Sequence, residues 1–139
     1  MPTALLLKTN GEVLPIELTN NNDHEIIHES VGGWFDCVRN HERRIVGYVH
    51  DEGLLIGLPA NPVSSFLFNQ VLAGDCVIVG SFSETGEYDG ESHELPPAFM
   101  SNRFVEMARE MGADIELNEK LNALLANVDT SITISDWVD

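Results

Sequence analysis

Asn10-Gly11, set between the apolar runs Ala4-Leu5-Leu6-Leu7 and Val13-Leu14-Pro15-Ile16, narrows the fold more than any other stretch of this chain. An Asn-Gly pair accepts the positive backbone angles of a tight hairpin, so residues 3–8 and 12–18 are expected to pair as antiparallel strands. Further strands are expected at residues 34–38, 44–50 and 76–82, with a short extended run at 54–58 and a strand-like end at 131–138. The run Gly74-Asp75-Cys76-Val77-Ile78-Val79-Gly80 is β-branched and bounded by glycines. Most joins between these strands are too short for a parallel crossover, which needs a dozen or more residues.

Helical patterns fall between and after the strands. One is expected at residues 23–31, capped by Asn22 with Glu25 three residues on. A second opens at Pro62 and carries Phe66, Leu67 and Val71. A third, near 98–111 behind Pro96-Pro97, puts Met100, Phe104, Met107 and Met111 on one face and ends at Gly112. A fourth spans about 118–127 with Leu121, Leu124 and Leu125. The expected fold is therefore α+β: a small, mixed, mainly antiparallel sheet packed by short helices. Residues 1–112 form the core domain, and 113–139 a C-terminal helix-and-strand extension packed on the same domain. Cys37 and Cys76 sit singly in apolar runs and are expected to be small buried hydrophobes.

Twenty-three acids face seven bases, giving a net charge of -16. Phosphate binding depends on Lys and Arg displacing counterions, so direct binding to nucleic acid or anionic lipid is not expected. No stretch approaches the roughly 18 apolar residues that cross a bilayer, and the short run at residues 4–7 lacks the flanks of a signal peptide. A cytoplasmic location is expected. The acidity suits either general solubility or a face that docks on a basic partner.

His24-Glu25-Ile26-Ile27-His28 spells H-E-x-x-H, the pattern that places two zinc ligands one helical turn apart with a glutamate to polarise the bound water. The rest of such a site is not evident. Val31 and Trp34 stand where a three-ligand extension needs glycine and a ligand, and a third carboxylate would have to come from Glu106 or Glu110. The same residues serve a capped amphipathic helix, with Ile27 and Val31 inward and Gly32-Gly33 ending it. That structural reading is preferred. Zinc, with His24 and His28 as ligands and Glu25 as base, is the alternative.

Val31-Gly32-Gly33-Trp34-Phe35-Asp36, then Asp51-Glu52-Gly53-Leu54-Leu55-Ile56-Gly57-Leu58-Pro59-Ala60-Asn61, then the glycine-bounded run 74–80, occur in an order that resembles the domain-of-unknown-function 3846 family. These are small proteins common in bacteriophages and in actinobacteria and firmicutes. The resemblance covers about residues 3–111 and implies a compact α+β domain with no known catalytic residue. Asn61 is the polar amide embedded in the matching pieces, a candidate ligand contact whose simpler role is to turn the backbone.

The leading functional expectation is a non-catalytic acidic interaction module, a phage or mobile-element accessory protein that binds a host protein with a basic surface. Counter-defence by DNA mimicry is its sharper form. A zinc-dependent hydrolase and a small-ligand binder with a pocket near Asn61 are the alternatives. The leading expectation carries no cofactor. The oligomeric state is not specified by the sequence.

Overall fold

The computed structural model describes residues 3–18, 23–53, 55–80 and 95–126. Its frame is a five-stranded sheet built from β1 (Thr3–Leu7), β2 (Val13–Glu17), β3 (Phe35–Asn40), β4 (Ile45–His50) and β5 (Cys76–Gly80). The strand order is β2-β1-β5-β4-β3, and every neighbouring pair is antiparallel. Two hairpins thus flank a central strand that arrives last. Helices α1 (Asp23–Val31), α2 (Pro62–Phe68), α3 (Asn102–Ala113) and α4 (Ile115–Ala126) complete the described structure, with a 3₁₀ turn at Pro97–Met100. The expected α+β class is what the chain adopts.

Alternation along the strands explains why both sheet faces are covered. On β5, Cys76 and Ile78 point into a core with Leu5, Leu7, Ile45, Val49, Val63 and Phe104, under α2 and α3. Val77 and Val79 point the other way, into a second core with Ala4, Val46, Leu18, and Ile27 and Val31 of α1. A strand buried on both faces loses the polar/apolar alternation of a half-exposed one, so its sequence is a continuous apolar run. That is why residues 76–80 read so clearly as a strand.

The first hairpin closes on α3. Gly11 has φ +91°, the left-handed region the Asn-Gly pair anticipates. A Cβ on Gly11 would stand 2.5 Å from the Ala108 carbonyl oxygen, and one on Gly112 would overlap the Asn10 carbonyl and the Gly11 Cα. Turn and helix therefore meet backbone to backbone. Gly112 does not end α3 as expected; the helix runs on to Ala113, and Asp114 is its C-cap.

Other expectations shift for identifiable reasons. The helix behind Pro96-Pro97 starts four residues late, because Ser101 accepts a hydrogen bond from the Phe104 amide and opens α3 there. Met100 then lies on the preceding 3₁₀ turn and is exposed, while Met107 and Met111 pack on the core. Helix α2 stops at Phe68, since Asn69 takes a left-handed conformation, leaving Val71 beyond it. Residues 55–58 form turns rather than an extended run: the Ile56 amide donates to the Glu52 carbonyl at 2.9 Å and Leu58 to Gly53 at 3.0 Å. Leu55 and Ile56 are exposed there. The fourth helix begins at Ile115, three residues early, with Asp114 accepting from the Leu117 amide at 3.0 Å. Its Asn118 side chain bonds the Met111, Gly112 and Asp114 carbonyls, and Asn122 accepts from the Ala60 amide at 2.9 Å. The expected Asn22 cap and the strand-like end at 131–138 lie outside the described residues.

Candidate interaction site on helix α1

Helix α1 is short, and two residues set its roll. Ile27 and Val31 are buried in the core beneath it, so the remaining positions emerge in a fixed order. His24 and His28 share one strip, Glu25 and Glu29 the next, each pair one turn apart. Gly32 takes φ +84° and closes the helix, with the Gly32 and Gly33 amides both donating to the His28 carbonyl at 3.0 Å. The chain then turns into β3 at Trp34, which is 73% exposed. Its carbonyl accepts from the Asp51 amide at 3.0 Å, tying this corner to the end of β4.

The rings at this corner interlock. His28 meets Trp34 edge to face with centroids 4.9 Å apart, His24 stacks on Phe35 at 6.0 Å, and Phe35 packs edge to face on Tyr48 at 5.3 Å. Between helix and indole lies a cleft of about 310 Å³ lined by His24, Glu25, His28, Glu29 and Trp34. Neither Glu25 nor Glu29 has an ion-pair partner among the described residues. An aromatic surface held in place beside two unpaired carboxylates is chemically a cation-accepting corner.

The zinc alternative can be followed residue by residue. His24 and His28 do share a helix face, as two ligands must. The third carboxylates considered, Glu106 and Glu110, belong to α3, which packs on the opposite side of the sheet, and cannot reach them. Among the described residues no group of three or more histidine, cysteine, aspartate or glutamate side chains is placed to hold a metal ion. Glu25 is solvent-exposed beside the pair.

Asn61 sits elsewhere and is fully buried. Its Nδ2 donates to the Leu7 carbonyl at 2.8 Å and the Gly74 carbonyl at 3.0 Å, and its Oδ1 accepts from the Ser64 amide at 3.1 Å. It therefore joins the end of β1, the turn before β5 and the start of α2. Both its donors are engaged within the chain, leaving none for a ligand. Beside it, α2, α3 and α4 enclose an apolar cleft of about 320 Å³ lined by Phe66, Val71, Met111, Leu117, Leu121 and Leu124 among others.

The two cysteines differ sharply. Cys76 is buried, and burial pushes its thiol from 9.0 up to about 12; Asp75 adds to the rise, while the Ser64 hydroxyl and the Tyr48 backbone offset part of it. Cys37 is exposed, contrary to expectation, because β3 is an edge strand whose apolar run is only partly covered. A thiol reagent at about pH 8 should therefore modify Cys37 quickly and Cys76 only after unfolding. A fast second equivalent would contradict the burial of Cys76. The raised Cys76 value also means that the unfolded chain loses this proton first, so stability should fall as pH rises from 9 towards 12.

Trp34 and Glu29 are the members of this corner that the sequence did not bring forward. The signal was an aromatic residue directly after a helix-ending glycine pair, with a Glu–Glu repeat four apart on the helix before it. Taken together, the described structure is a helix-covered antiparallel α+β domain whose aromatic and acidic corner faces solvent. The family model for Domain of unknown function (DUF3846) matches residues 2–109, and the chain belongs to that family. The match takes in the whole sheet and α1 to most of α3, leaving α4 beyond it. No curated protein and no solved structure matches the chain. No helix among the described residues is long and apolar enough to cross a membrane.

Proposed function

We propose that the protein is a non-catalytic acidic interaction module, a phage or mobile-element accessory protein acting in the cytoplasm, that binds a host protein through a basic surface on that partner. The observation that carries the reading is Trp34: a large apolar side chain held by His28 and left 73% exposed on an acidic corner. Tryptophan is enriched among the residues that anchor interfaces, and carboxylates around it select a positively charged counterpart. The overall charge of -16 supports the same choice by steering basic partners and repelling nucleic acid. A counter-defence role is the form in which such binding would serve a phage.

Affinity capture from host lysate tests this. A discrete partner should be retained at about 0.05 M salt and released at about 0.5 M, where screening shortens the reach of the carboxylates. The Trp34→Ala protein should retain much less of it. A Trp34→Ala protein that holds the same partner equally well, or the recovery of no salt-sensitive partner, overturns the reading. The small-ligand alternative is better served by the apolar cleft under α4 than by Asn61, whose amide is committed to the fold.

A further inference from the structure

We propose that the cleft between α1 and Trp34 receives an arginine side chain of the protein partner. This rests on the interaction-module reading and adds the chemistry of the contact. The cleft offers three things a guanidinium needs at once. The indole of Trp34 presents an open aromatic surface, on which a flat cation stacks. Glu25 and Glu29 stand one turn apart on the adjacent strip of α1, with no cation of the chain paired to them among the described residues. Two carboxylates so spaced can accept hydrogen bonds from the several N–H groups of one guanidinium.

Arginine fits better than lysine for a geometric reason. A guanidinium is planar and weakly hydrated, so it can lie on the ring while its edge faces the carboxylates; an ammonium is a compact, strongly hydrated point. The chain already makes this contact internally, where the Arg43 guanidinium stands 5.0 Å over the Phe66 ring. The His28 and His24 rings, each packed on an aromatic neighbour, form the wall of the cleft. A phosphate-bearing partner is excluded by Glu25 and Glu29 themselves. A protein source is favoured over free arginine, whose own carboxylate would enter beside the two glutamates.

The test is a titration of the isotopically labelled full chain with a blocked Gly-Gly-Arg-Gly-Gly peptide, read at the indole N–H of Trp34. The Trp34 signal is assigned by its loss in the Trp34→Ala protein. A saturable shift at Trp34 is expected, with the lysine peptide about threefold weaker or more. The Glu25→Gln/Glu29→Gln double variant should weaken binding about tenfold, and Trp34→Ala should abolish the shifts of the α1 amides. Glu116→Gln/Glu119→Gln, which removes two exposed charges on α4, should leave affinity within about twofold if the attraction is local. Equal losses in the α1 and α4 variants would show general charge attraction and overturn the site. Tighter binding of free arginine than of the blocked peptide would overturn the protein source. A failed peptide titration with a salt-sensitive, Trp34-dependent partner in hand refutes the arginine contact alone; peptide binding without any such partner refutes the module reading.

Discussion

Replacing Asn61 with alanine should destabilise the protein by about 4 kcal/mol, lowering the melting temperature by roughly 12–16 °C. The size follows from what the amide holds. Loss of the cap on Ser64 costs about 1 kcal/mol, and the Leu7 and Gly74 carbonyls, left buried without a donor, cost about 1–3 kcal/mol each. Such a loss would be a large part of the 5–15 kcal/mol that holds a typical domain together. Asn61→Asp separates hydrogen bonding from shape, since the side chain keeps its size but loses the NH₂ group. The carboxylate would face two carbonyl oxygens in a buried site, so its folded-state pKa should lie above the unfolded value of about 3.9. The native state then binds the proton more tightly than the unfolded chain. Stability of this variant should fall as pH rises above about 4, and denaturant melts at pH 4 and 7 would show it. An Asn61→Asp protein as stable at pH 7 as the unaltered chain would contradict the three hydrogen bonds described for Asn61.

Gly112→Ala offers a test in which two effects have opposite signs. Alanine is favoured over glycine within a helix by about 1 kcal/mol, so helix propensity alone predicts a more stable protein. The new Cβ, however, would overlap backbone atoms of Asn10 and Gly11, which cannot rotate away as a side chain could. Helix α3 would have to lift from the hairpin and loosen Phe104 and Ala108 in the core. The expected net result is a loss of about 3 kcal/mol, visible as a lower urea midpoint with little change in slope. Gly11→Ala should also destabilise, and combining the two should cost less than their sum, because the first already opens the contact. A Gly112→Ala protein more stable than its parent would show that the hairpin and α3 are not in backbone contact.

This pair of glycines also shows what a sequence can and cannot disclose. Asn10-Gly11 announced its hairpin because the turn needs one left-handed residue, which Gly11 supplies, and a side chain such as that of Asn10, whose Oδ1 accepts from the Glu12 amide at 3.0 Å. The loop spans Thr9 to Gly11, with only Gly11 at positive φ. Gly112 reads in sequence as a helix terminator, since local propensity knows nothing of a turn 101 positions earlier in the chain. Val77, Ile78 and Val79 were legible as a strand for the reason that hid Cys37: composition reports apolarity, whereas coverage depends on where a strand lies in the sheet. The central position of β5 buried both its faces, and the edge position of β3 left Cys37 open. Residues 55–58 misled in the same way, apolar in sequence yet turned and exposed in structure. At the corner on α1, the helix and its glycine stop followed from pattern. The exposure of Trp34 did not, because it stands between the glycine stop and β3, beyond the helix whose roll Ile27 and Val31 set.

The sheet order has a consequence for how the chain is made. Strand β1 lies between β2 and β5, so during synthesis its second edge waits for residues 76–80, and the hairpin turn waits for Gly112. At ordinary elongation rates that is roughly 5–20 s for the hundred or so residues involved. A two-stranded hairpin is barely stable alone, and its Leu5 and Leu7 would meet water and other nascent chains throughout this interval. The chain made by residue 80 already carries ten acids against four bases, a charge of -6 that repels such neighbours while these side chains are exposed. The acidity proposed to attract a basic partner would then also protect the chain on the ribosome, before it has any fold to present.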